Sequence, residues 1–131
     1  MALLGAWCLV IYVVSDQPGL RVTDDDLLDF VLRKVAHVGE YAVLAWLAWR
    51  VARRGGLEPT PAALAAWTFA LAFAASDEWH QTFVAGRVGH PRDVLIDLVG
   101  ASAALAVAWR HARTKNIDID TQSTTTEDPQ P

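Results

Sequence analysis

Four apolar blocks joined by short polar linkers constrain this chain more than any other feature. They run from Met1 to Ser15, Val35 to Trp49, Pro61 to Ser76 and Val94 to Trp109. The third holds no ionisable residue, and the fourth holds only Asp97. A helix that crosses a bilayer needs about 20 mostly apolar residues. Blocks two to four reach that length once their polar first or last turns count as helix. The pattern predicts an all-α fold, a four-helix transmembrane bundle with spans at about 1–15, 34–51, 61–80 and 93–110. The first block is a little short, which leaves room for a start upstream of Met1. It lacks a charged leader and a small-x-small cleavage site, so it does not read as a signal peptide.

Composition supports this class and excludes others. The chain is 53% hydrophobic and 20% charged, above the usual apolar share of a soluble domain. Its 11 Lys and Arg stand against 15 Asp and Glu, a formal charge of −4. The surplus acids are Asp118, Asp120, Glu127 and Asp128 in the tail, so residues 1–117 balance. That leaves no basic face for a phosphate backbone, and nucleic acid is excluded as a partner. A single Cys8 rules out an internal disulfide and a cysteine-based zinc site. Cys8 reads as an apolar filler. The polar, Thr-rich segment 111–131 cannot build a core and is expected to be a disordered tail.

Between blocks the charges sort by sign. Arg50, Arg53 and Arg54 follow the second block, and Arg110, Arg113 and Lys115 follow the fourth. The linker after the first block holds Asp16, Asp24, Asp25, Asp26 and Asp29 against Arg21. The positive-inside rule then puts the 50–58 loop and both termini in the cytoplasm, and the 16–34 and 80–92 loops outside the inner (cytoplasmic) membrane. The three consecutive Asp residues read as an N-cap and first turn, leading through a short interfacial helix into span two.

Ionisable groups are expensive in a bilayer, and here they are not scattered. Span two opens with Lys34, His37, Glu40 and Tyr41. Steps of three and four put Lys34, His37 and Tyr41 on one face, with Glu40 beside it. Span three closes with Asp77, Glu78, His80 and Gln81, and span four opens with Asp93 and Asp97. Because spans alternate in direction, all three polar ends lie on the outer side, and Arg87 sits in the loop joining two of them. One outward-facing polar pocket is the economical arrangement. The small residues Ala62, Ala65, Ala66, Ala101 and Ala104, with Gly100, would let the helices approach closely. Five of the six Trp fall near span ends, as interfacial belts do.

The string DEWHQTFVAGRVGHPRDVLIDLVGA at 77–101 resembles the signature of the VanZ-like family of bacterial integral membrane proteins. KVAHVGEYAVLAWL at 34–47 resembles that family's Lys-x-x-His-x-x-x-Tyr signature, and YVVSDQP at 12–18 is similar to the usual end of its first span. The resemblance covers about residues 1–110 and implies a membrane protein of the cell envelope, with a link to teicoplanin resistance. It places the family's recurrent polar positions on Lys34, His37, Glu40, Tyr41, Asp77, Glu78, His80, Gln81, Arg87 and Asp93. Asp97 departs from the pattern, in which Asn is common.

The pocket admits several chemistries. As a binding site for a membrane lipid or lipid-linked envelope precursor, it would use Lys34 and Arg87 on phosphate. Glu40, Tyr41, Gln81 and Asp93 would complete the binding set. As an intramembrane hydrolase or transferase, it would use His37 or His80 as general base or acid, oriented by Asp77 or Glu78. His37, Glu40, Asp77 and His80 are metal-capable types, but their spacing matches no helix-borne zinc motif, so no metal ligand or cofactor is assigned. An ion pathway is the weakest reading, because the inner halves of the spans carry nothing ionisable and four short spans would have to form an oligomer. The plainest alternative is an internal ion-pair network, with Lys34 and Arg87 neutralising Glu40, Asp77 or Asp93.

Overall fold

The computed structural model describes residues 1–16, 23–84 and 89–125, with side chains as far as Thr114. Among these it is all-helical, with α1 (Ala2–Ser15), α2 (Asp26–Arg54), α3 (Pro59–Gln81) and α4 (Pro91–Thr125). Arg87 lies outside the described residues. The expected tail is described only in part: the α4 backbone is helical to Thr125, and residues 126–131 lie outside the description.

Local sequence sets the helix ends. The Asp25 carboxylate accepts from the Leu28 amide at 2.9 Å, which caps α2, and Asp26 and Asp29 favour the positive end of its dipole. No short interfacial helix stands apart from the second segment. With no proline between Asp26 and Arg54, the helix runs unbroken through 29 residues, about 43 Å. Gly56, at φ 89°, supplies the left-handed turn beyond its end. Pro59 opens α3, where its missing N–H leaves nothing unpaired.

Alanine makes up most of the buried apolar core, with Ile11, Tyr41, Leu44 and Leu105 as its large members. Buried Ala62, Ala66, Ala70 and Ala74 recur every fourth residue and form one stripe of α3. Ala45 and Ala48 of α2 and Ala101 and Ala108 of α4 are also buried. Ala65 turns outward instead, because one step short of that repeat rotates it off the stripe. Large apolar side chains lie outside: Leu9, Val13, Val35, Leu64, Phe69, Leu95, Val99 and Val107 are all exposed. α2 packs most extensively on α4, α3 seals both, and α1 lies against α2 and α3. α4 approaches α2 closely at Gly100, where a Cβ would clash with the backbone of Val38. Trp67 and Trp109 donate to Ser102 and Thr60, each at 3.1 Å, tying α3 to α4.

Among the described residues, one helix segment, Pro91–Thr114, is long and apolar enough to cross a membrane, at mean hydropathy 1.3. Most of that window faces outward. Ala2–Ser15 is a shorter apolar helix. Residues 59–76 of α3 carry no ionisable side chain over a rise of about 27 Å.

Candidate functional site

The end of α1, the start of α2, the end of α3 and the start of α4 meet at one end of the bundle, and their polar side chains face each other there. Between α2 and α4, Lys34 Nζ lies 2.6 Å from Asp93 Oδ1. One turn deeper, His37 Nδ1 lies 3.6 Å from Asp97 Oδ1 and 3.9 Å from Glu40 Oε2. The helical steps that align Lys34 with His37, and Asp93 with Asp97, thus produce two rungs between parallel helices. Of the three acids that sequence reading offered Lys34, the structure gives it Asp93.

Between α1 and α3, the Ser15 hydroxyl donates to Asp77 Oδ2 at 2.8 Å. Gln81, one turn along α3, donates to the same oxygen at 3.0 Å. His80 Nε2 lies 3.4 Å from Asp16 Oδ1, and its ring centroid is 4.6 Å from that of Tyr12. The second acid of α3, Glu78, accepts from the His90 amide at 2.7 Å and so holds the entrance to α4. Trp7 donates to the Glu40 carbonyl at 3.0 Å, joining α1 to α2.

Asp77, Glu78, Gln81 and Asp97 are buried, and Tyr41 is fully so. Four buried polar atoms at this end have no hydrogen-bond partner among the described residues: the Tyr41 hydroxyl, Asp77 Oδ1, His80 Nε2 and Asp97 Oδ1. His80 and Asp97 each face an ion-pair partner, Asp16 and His37, which leaves the Tyr41 hydroxyl and Asp77 Oδ1. A buried polar atom without a partner normally costs about 1–3 kcal/mol, so each marks spare bonding capacity inside the cluster. Among the described residues of the cluster, the acids Asp16, Glu40, Asp77, Glu78, Asp93 and Asp97 outnumber Lys34, His37 and His80.

Nine of the ten singled-out residues therefore belong to one region: Lys34, His37, Glu40, Tyr41, Asp77, Glu78, His80, Gln81 and Asp93. The acids facing the histidines are not Asp77 and Glu78 but Asp97 and Glu40 for His37, and Asp16 for His80. The reason is rotational. Asp77 points toward Ser15 and Gln81, and Glu78 toward the loop amide. Among the described residues, no three His, Cys, Asp or Glu side chains are placed to share a metal ion. His37, Glu40, Asp77 and His80 are not gathered as a ligand set.

Sequence reading missed Ser15 and Asp16 and set Asp97 aside. The signal for the first two was present. A first helix that alternates in direction with the second ends on the same side as the polar turns of the other three, so its final polar residues belong with them. For Asp97 the spacing of four from Asp93 was the cue.

A family model described as VanZ/LLP1 matches residues 2–112, and the chain belongs to that family. No curated relative and no solved structure matches the chain.

Proposed function

We propose that this VanZ/LLP1 family member is a multi-pass protein of the cytoplasmic membrane, with four spans and both termini in the cytoplasm. Its polar cluster would lie at the outer face and engage the head of a lipid-linked cell-envelope precursor. Support for embedding comes from the distribution of side chains: an interior mostly of alanine with buried carboxylates, and many Leu, Val and Phe exposed outside. Water disfavours such an exterior, whereas lipid accepts it, and small residues are what bring helices together in lipid. The sign of the linker charges supports the orientation.

The observation that carries the ligand reading is the spare capacity of Tyr41 and Asp77. A precursor head with a phosphate and sugar or peptide groups would use both. The Tyr41 hydroxyl would donate to an oxygen, and Asp77 would accept from a hydroxyl or amide. Lys34 and Arg87 would supply the cations for phosphate, and Asp93 would hold Lys34 in position. Acting on such a precursor would change susceptibility to glycopeptides such as teicoplanin.

A second reading, a purely structural ion-pair network, draws on Lys34, His37 and His80 each already facing an acid. The same His–Asp pairs favour a third, an intramembrane hydrolase or transferase in which a carboxylate orients the imidazole.

Native mass spectrometry separates the three. The full-length protein in mild detergent is compared with a Lys34→Ala/Arg87→Ala double variant. The proposal expects a phosphate-bearing lipid adduct on the wild type that the variant lacks. A bare polypeptide in both would favour the structural network, and an adduct hydrolysed or transferred on incubation would favour the enzyme.

A further inference from the structure

At the end opposite the polar cluster, α2 and α4 enclose a groove of about 840 Å³. It arises from the same pairing that builds the site. The two helices touch at Gly100 and Val38, and beyond that point Ala103, Ala104 and Ala108 on α4 are too small to fill the space facing Val43, Trp46 and Trp49 on α2. The groove walls are apolar. At its far end lie Arg53 and His111.

We infer that this groove holds the acyl chain of an anionic membrane phospholipid, with the headgroup at Arg53 and His111. The inference rests on the four-span reading above. Two observations select this occupant. From Ala42 to Arg53 the groove follows α2 for about 17 Å, close to the roughly 15 Å hydrocarbon depth of one leaflet. Its open end is cationic: Arg53 lines it beside His111, and Arg50 stacks on the Trp46 wall. Basic pockets between helices on the cytoplasmic side are where anionic headgroups bind.

Trp49 lines the groove and also packs on the alanine core, with its indole N–H buried. Arg53 is held at the rim by donating to the Leu57 carbonyl at 2.6 Å, with Glu58 Oε2 at 4.0 Å. Arg50 lies over the Trp46 ring, 4.7 Å from its centroid, adding a cation beside the same wall.

The test uses the full-length protein in bilayers of phosphatidylcholine and phosphatidylglycerol. After mild detergent extraction, co-purifying lipid is quantified by mass spectrometry for wild type, Arg53→Gln and Ala103→Phe. The expected result is enrichment of phosphatidylglycerol on the wild type. Arg53→Gln should lower that preference about fivefold, the effect of one interfacial cation. Ala103→Phe, which fills the groove from an exposed position, should strip retained lipid of both kinds. Equal retention of the two lipids on the wild type, or the wild-type preference persisting in Arg53→Gln, would overturn the inference. Alkaline extraction of the same membranes separates the two failures. A protein that stays in the pellet without lipid preference refutes the groove alone, and a protein released by alkali refutes the membrane reading as well.

Discussion

The Ser15 hydroxyl donates to the Asp77 carboxylate at 2.8 Å, across 62 residues of chain. Both residues are buried, so this bond and the His80–Asp16 contact beside it tie the last turn of α1 to the polar end of α3. Asp77 thereby does two things. One oxygen holds Ser15 and Gln81, and the other is buried with no hydrogen-bond partner among the described residues.

Substitution at Asp77 separates those roles. Asp77→Ala strands the Ser15 and Gln81 donors and should destabilise the protein by about 1–3 kcal/mol. Asp77→Asn keeps an acceptor for them and should retain near-normal thermal stability in detergent while losing any envelope phenotype. Equal destabilisation by both substitutions would assign Asp77 to structure alone.

The α2–α4 contact makes a sharper stability prediction. Gly100→Ala places a methyl group against the Val38 backbone and should lower stability by about 1–3 kcal/mol through overpacking. Gly39→Ala, one residue beyond Val38 on the same helix, meets nothing within 4 Å. It should be neutral or stabilising by up to about 1 kcal/mol, because alanine is the better helix former. Thermal melts of the two variants check the contrast.

Lys34 and Asp93 form a charge-assisted contact between partly buried side chains. Removing either partner should cost about 1.5–3 kcal/mol. In a double-mutant cycle of Lys34→Ala and Asp93→Ala, the double variant should lose less than the sum of the single losses. Additive losses would show that the pair contributes nothing as a pair.

Tyr41→Phe removes a buried hydroxyl that bonds nothing among the described residues, so folding stability should hold or rise. If the hydroxyl serves a ligand, the lipid-head adduct should weaken at the same time. A stable variant with undiminished adduct would remove Tyr41 from the site.

How much of this was legible in the sequence follows from how each residue is specified. The helices were legible, because the apolar blocks and the caps at Asp25 and Pro59 are local signals. The clustering of Lys34, His37 and Tyr41 with Asp77 and Asp93 was legible too, since helical spacing and alternating direction bring them to one end. Which acid meets which base was not. Asp97 reaches His37, and Asp16 reaches His80, through the relative rotation of packed helices. Helix rotation depends on contacts such as Gly100 against Val38, which join residues far apart in the chain. The outward turn of Ala65 and the groove beside Trp49 arise from the same rotations and were equally hidden.

The central claim is that the polar cluster lies at the outer face of a four-span protein. Cysteine labelling on intact cells tests it most directly, in a Cys8→Ala background. Phe83, 71% exposed just beyond α3, belongs to the polar end, and Glu58, with a side chain 78% exposed, to the opposite end. The account predicts that Phe83→Cys reacts with a membrane-impermeant maleimide on intact cells, and that Glu58→Cys reacts only after permeabilisation. Labelling of Glu58→Cys on intact cells, with Phe83→Cys protected, would contradict it.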